Sequence, residues 1–314
     1  MPGNSPTGPN PNRRLAAAPI SWGVCEVPGW GFQLVPDLVL SEMASLGIRA
    51  TEAGPVGYLG RDPESVVAAL TRHLLQLIGG FLPVVLHDHA RLPDSILAAR
   101  AAGSVLKAAG ASFLISAVVV DPDWSPRVSL SDAEWRAVFD GLARLDELAA
   151  DLELTHVVHP HWGTLVQDGP DVARMLDGSE SLLCLDTGHL VLGGLDPVSV
   201  ADEARGRIAH VHVKDVDGQV AARLRSGELT LVEGVQAGLF RPLGDGDAPI
   251  AGTVKSLERS GYKGWYVLEQ DCALPTAEVP DVKGPREAVR RSIAFIRSVL
   301  DADRESHVKE GVST

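Results

Sequence analysis

Four residues of metal-ligating type, His159, Asp186, His212 and Glu269, stand near the ends of four successive apolar runs, LTHVVHPHW, LLCLDTGHL, IAHVHVKD and WYVLEQD. Two imidazoles and two carboxylates meeting at one point suit a divalent cation, through nitrogen and oxygen donors without a thiolate. Residues this far apart in the chain converge only if their strands lie side by side and end at one rim. Alternate strand residues share a face, so His210, His212 and Lys214 point together, as do Val157, His159 and His161, and also Glu269 and Asp271. His189 lies just past Asp186 in DTGH. Other run ends add polar groups to the same rim: Trp22 and Glu26, then Glu52, then His87, Asp88 and His89. A lone histidine is usually a hydrogen-bonded structural residue, and His156 and His210 keep that reading. Eight of the ten histidines nevertheless fall between His87 and His212, most of them at run ends, which favours a metal site.

The elements that must position these groups follow from the alternation of short apolar and longer amphipathic runs. Strands are expected at 18–24, 48–54, 82–88 and 113–119, with four more starting near Leu154, Leu182, Ile208 and Gly264. Helices are expected at 36–46, 63–78, 93–109, 131–150, 170–177, 197–205, 250–260 and 284–301. Several open on helix-start residues such as Asp62-Pro63-Glu64 and Ser131-Asp132-Ala133-Glu134. Several close on glycine: Gly47, Gly79-Gly80, Gly110 and Gly261. Eight such units imply parallel pairing through right-handed crossovers, and so an α/β fold of the (β/α)8 TIM-barrel type in a single domain. A doubly wound open sheet is the rival, but no GxGxxG follows the first strand. The barrel is expected over 18–302, after a disordered lead-in at 1–17 rich in Pro, Gly and Asn and before a polar tail at 303–314. A glycine-rich insertion at roughly 216–249 reads as an active-site loop.

The chain of 314 residues carries a formal charge of −13, from 28 basic and 41 acidic residues. That balance, without a Lys/Arg-rich block, argues against nucleic acid as partner. Cys25, Cys184 and Cys272 form no CxxC pair, which fits a reducing cytoplasm. No run is long enough to span a membrane and no segment of signal-peptide type is present. No nucleic-acid or membrane partner is expected.

DTGH (186–189), HVHVKD (210–215) and the Glu of VLEQD (269) resemble the xylose isomerase-like TIM-barrel superfamily of sugar isomerases and epimerases. PISWGVCEVPGWG (19–31), GPVGYLG (54–60), GGFLPVVLHD (79–88), HPHWGT (159–164) and LVEGVQAGLFRPLGDGD (231–247) resemble, more narrowly, the inosose dehydratase family. The likeness runs from about residue 18 to 300. In the wider superfamily a metal is held by Glu, Asp, His and Glu from strands five to eight. The last three fall on Asp186, His212 and Glu269, while His159 stands where the first Glu would be. Epimerases of this type move a proton with two metal-bound carboxylates, so an imidazole at one of those positions tilts the reading towards elimination. Elimination needs only one base and one acid. The family also more often carries Leu where Ala53 stands.

The resemblance thus implies a metal-dependent hydro-lyase that removes water from 2-keto-myo-inositol, with an inosose or ketose isomerase or epimerase as the alternative. The cation would be Mn²⁺ or Co²⁺, with Mg²⁺ or Zn²⁺ also compatible, on His159, Asp186, His212 and Glu269. Lys214 and His189 are the expected acid and base, with Glu269 able to double in that role. Lys214 needs a lowered pKa to act as base and is otherwise an electrostatic clamp. Trp22, Glu52, His87, His161, Thr164, His189 and Lys214 are expected to contact substrate. A cytoplasmic homo-oligomer, dimer or tetramer, is expected.

Overall fold

The computed structural model describes residues 14–275 and 284–311, side chains of 304–311 excepted. Eight parallel strands close into a barrel in the order β1 (Leu15–Ala17), β10 (Tyr266–Leu268), β7 (Ile208–Val213), β6 (Leu182–Asp186), β5 (Thr155–Val158), β4 (Phe113–Val118), β3 (Gln76–Val84) and β2 (Ala50–Glu52). Helices alternate with them as α1 (Pro36–Ser45), α2 (Pro63–Arg72), α3 (Leu92–Ala108), α4 (Asp132–Asp151), α5 (Gly169–Gly178), α6 (Thr187–Leu192), α7 (Pro197–Glu203), α10 (Ile250–Arg259) and α11 (Pro285–Gly311). The (β/α)8 architecture expected from the alternation is the one observed.

Local chemistry sets the boundaries. Ser131 and Asp168 each close a capping box, with Glu134 and Asp171 respectively, so α4 and α5 start where their first free N–H groups find acceptors. The interior of the barrel is filled by small clusters, Ala16, Ala50, Ile78 and Val267 in one and Ile115, Val157 and Cys184 in another. The larger apolar core, including Leu40, Leu114, Leu142 and Ile296, lies outside the strands, under the helices.

Two strands are displaced from their expected places. The first is Leu15–Ala17, inside the span read as lead-in, and APISWGV instead turns at once into a 3-10 segment, Pro19–Trp22, ended by Gly23 at φ +79°. Pro19 has no N–H to give to a ladder, which stops β1 there. The rest of the lead-in, residues 1–13, lies outside the described residues. The third strand begins at Gln76, so helix α2 ends at Arg72, well short of 78. Gly79 and Gly80 are therefore mid-strand and not a helix stop. A Cβ on Gly80 would lie 2.7 Å from Leu106 of α3, so the missing side chain lets that helix seat on the sheet. The third departure is at the far end, where α11 continues through the stretch read as tail, to Gly311.

The insertion after β7 is more ordered than a loop. It contains a two-stranded antiparallel ribbon, β8 (Asp215–Val216) with β9 (Phe240–Arg241), and helices α8 (Gly218–Arg225) and α9 (Leu231–Gln236). Asp215 ties it down: its carboxylate accepts N–H groups from Val216, Gly244, Gly246 and Ala248.

Candidate active site

Strand ends bring the four residues to one rim. Asp186 closes β6 and also caps α6, where its Oδ1 accepts the His189 N–H at 2.8 Å. With one oxygen held by the helix, Oδ2 is aimed inward, 3.3 Å from His159 Nε2 and 3.7 Å from His212 Nδ1. His212 Nδ1 also lies 3.2 Å from Glu269 Oε2. All four residues are buried. Asp186, His212 and Glu269 each offer a ligand atom within 4.8 Å of the others, and His159 joins Asp186 in an adjoining group with His189.

The donors fit a cation. His212 Nδ1 is buried without a hydrogen bond although carboxylate oxygens sit close to it, and His159 turns its Nε2 to the same Asp186 oxygen. Atoms that approach without linear N–H···O geometry share a target rather than one another. The charge balance agrees. Burial opposes charging His212, but Cys184, Glu269, Glu52 and Asp186 outweigh it and push its pKa well above the ordinary value. The pocket thus calls for positive charge, which a bound divalent ion supplies in place of a ring proton.

Lys214 supplies more. Its ammonium is buried and reaches Asp271 Oδ1 at 2.8 Å, Glu269 Oε2 at 2.9 Å and Asp186 Oδ2 at 3.4 Å. Burial alone would depress its pKa, but the three carboxylates raise it well above the lysine range. With this set of partners the ammonium is held charged and paired. Its Nζ lies 3.1 Å from His189 Nε2, and the Trp162 N–H points at His189 Nδ1 at 3.2 Å. Burial holds the His189 imidazole well below its usual pKa, and that of His161 down to about 3. Burial likewise raises Asp271, to about 6 against the pull of Lys214.

A cavity of about 70 Å³ opens onto this cluster, and Glu52, His159, His161, His212, Lys214 and Glu269 are among the residues lining it. Glu26 and Asp271 line it too, as the strand-face argument allows. Other expected substrate contacts lie elsewhere. Trp22 is fully buried and gives its indole N–H to Glu42 Oε2 at 2.7 Å, on the helix side. The Thr164 hydroxyl is spent on the carbonyls of His161 and Val166. Neither these two nor His87, His189 or Ala53 lines the catalytic cavity. His87 follows β3 by three residues, because that strand ends at Val84 rather than 88. His189 stands one layer behind, its ring 3.8 Å from that of His161 between centroids.

Glu52 faces the cavity, but its Oε1 is engaged by two imidazoles, His210 Nε2 at 2.7 Å and His212 Nε2 at 2.9 Å. Burial raises its pKa, but His212 and His210 outweigh that and hold it ionised. It therefore fixes the His212 ring with Nε2 towards Glu52 and Nδ1 towards Asp186 and Glu269, the orientation an imidazole that could hold a metal requires. Two aromatic residues had no signal in the sequence. Phe81 and Trp124 stack at 6.3 Å and 18°, and both line the cavity beside His161.

Known proteins agree with this architecture. An inosose dehydratase of Geobacillus kaustophilus is 32% identical over 270 residues, covering 82% of this chain and 87% of the relative. The structure of an L-ribulose 3-epimerase superposes with a TM-score of 0.69 at 15% identity, over 96% of this chain and 98% of that one. The structure of IOLI protein with a binding zinc atom superposes with a TM-score of 0.66 at 13% identity, over 92% and 98%. The family described as xylose isomerase-like TIM barrel matches residues 40–299. The chain belongs to that family and, within it, to the inosose dehydratases.

Proposed function

We propose that this protein is a hydro-lyase that eliminates water from 2-keto-myo-inositol, using a divalent cation held by His159, Asp186, His212 and Glu269. The observation that carries the reading is the buried convergence of Asp186, His212 and Glu269 beside Lys214, in a member of the inosose dehydratase family. When bound, the cation acts as a Lewis acid on the ketone and makes the neighbouring C–H more acidic. Mn²⁺ or Co²⁺ suits the mixed nitrogen and oxygen donors, and Mg²⁺ or Zn²⁺ is compatible.

The protein's own groups do the rest. Lys214, gripped by three carboxylates, presents a fixed positive charge to the cavity and donates towards the departing hydroxyl. Glu269 at the cavity wall is placed to take the α-proton. His189 touches Lys214 and His161 and so positions both rather than meeting substrate itself. One base and one acid are sufficient for elimination. We place the enzyme in the cytoplasm as a homo-oligomer, with Cys25, Cys184 and Cys272 as free thiols.

The test is incubation of the purified, Mn²⁺- or Co²⁺-loaded protein with 2-keto-myo-inositol. A product lighter by one water supports the reading. An isomer of unchanged mass would make the protein an epimerase, and no turnover with any divalent ion would remove the assignment.

A further inference from the structure

We propose that the groove beside the catalytic cavity is a second subsite, which receives a neutral hydroxylated ring attached to the substrate. This rests on the dehydratase reading and narrows its substrate class. The catalytic cavity offers about 70 Å³, whereas the groove adjoining it offers about 500 Å³. The two spaces are contiguous: Glu26, Pro55, Phe81 and Trp124 line both. A ring anchored on the ligand cluster has its outer edge against these four residues, and any substituent there extends into the groove.

The lining indicates what that substituent is. Phe81 and Trp124 present aromatic surface of the kind that packs on the C–H face of a sugar ring. Trp124 holds its place at φ +58°, a left-handed conformation unfavourable for a residue with a Cβ. Asp121 enforces it by accepting the N–H groups of Asp123 and Ser125 at 3.0 and 3.1 Å. Beyond the aromatic pair the groove carries Arg91 and Asp94. Among the described residues, none of the side chains of Glu26, Arg91 and Asp94 lies within ion-pair distance of an opposite charge, although Arg91 acts on Asp121 and the exposed Arg91 and Asp94 are open to water. An anionic substituent would meet two carboxylates, and an alkyl one would displace water from these groups without replacing its hydrogen bonds. Hydroxyl groups, which both donate and accept, satisfy every one of them. The substituent sits on an oxygen remote from the reacting carbons and passes through the reaction unchanged.

The experiment compares free inosose with an inosose carrying one glucosyl group on a hydroxyl remote from the ketone, each assayed for water loss with the Mn²⁺-loaded enzyme. The glucosylated compound should be dehydrated with kcat/KM at least equal to that of free inosose. Ala98→Trp, at an exposed α3 position that lines the groove and not the cavity, should lower it about tenfold or more and leave free inosose unaffected. Arg91→Ala should act in the same direction more weakly, and as a truncation of an exposed side chain it guards against misfolding of the Trp variant. Turnover of free inosose without the glucosylated compound overturns the subsite alone, as does an equal loss on both substrates in the two variants. Turnover of neither overturns the dehydratase reading beneath it.

Discussion

His156 and His159 lie three residues apart, at β5 and just beyond it, on opposite faces of the barrel wall, and the clusters they enter use the same residue types to opposite ends. Outside the barrel, His156 Nδ1 meets Asp146 Oδ1 at 2.6 Å and its Nε2 meets Ser116 Oγ at 2.7 Å. Asp146 Oδ2 accepts the Ser181 hydroxyl at 2.7 Å. This Asp–His–Ser chain has the order of a hydrolase triad, yet Ser116 is fully buried and every polar end is answered. Inside the barrel, His159 Nδ1 and His212 Nδ1 are buried without a hydrogen bond. Residue type does not separate a structural cluster from a functional one. What separates them is whether the protein completes its own hydrogen bonds or leaves donors and acceptors for something else to complete.

That contrast can be broken in four ways. The largest effect belongs to the inner cluster: Glu269→Ala or His159→Ala should cut kcat/KM about a thousandfold, the loss of several kcal/mol of Lewis-acid assistance, with a melting temperature close to that of the parent. Retention of full rate in both variants would show that the cluster is not the site. Next, Mn²⁺ at a hundred times its Kd should raise unfolding stability by about 2.7 kcal/mol. Thermal denaturation with and without the ion reads this, and the gain should vanish in Glu269→Ala. Third, His156→Ala should leave kcat/KM unchanged while lowering stability by about 1–3 kcal/mol in urea, since it strands the buried Ser116 and takes one partner from the half-buried Asp146. A lost activity with intact stability would reverse the roles assigned to the two clusters. The smallest effect is Ser116→Ala, about 1 kcal/mol in the same urea experiment, for one hydrogen bond.

The sequence revealed the second half of the barrel better than the first. Strands β5, β6, β7 and β10 are apolar runs that end on a polar residue, and that pattern is the physical signature of a strand meeting a catalytic rim. Strands β1 and β3 were misplaced because their true bounds carry no such signal. Leu15–Ala17 is too short to stand out from its polar approach, and QLIGGFLPV follows α2 so closely that its start reads as more helix. The displaced third strand is also why His87 falls beyond the cavity. The partners of Trp22 and Glu52 were hidden for a different reason. Their elements were near the right places, but their partners Glu42, His210 and His212 are distant in sequence, and local pattern carries nothing about which distant group claims a side chain. Trp124 is legible only afterwards, since the DPDW turn announces a loop but not the left-handed backbone that aims its indole.

Glu52 acts as a tie-rod. It springs from β2 and grips two imidazoles on β7, three strands away around the closed sheet. The register between β2 and β3 slips between Thr51 and Glu52, which pair with Leu77 and Gly79, so the anchor point is itself offset by an irregular stretch of ladder. A barrel braced in this way cannot ovalise at its rim without turning the His212 ring. Mechanical strain reaching β2 from the helices outside is therefore delivered to the His212 ring, and the stiffness of that wall becomes part of the shape of the site.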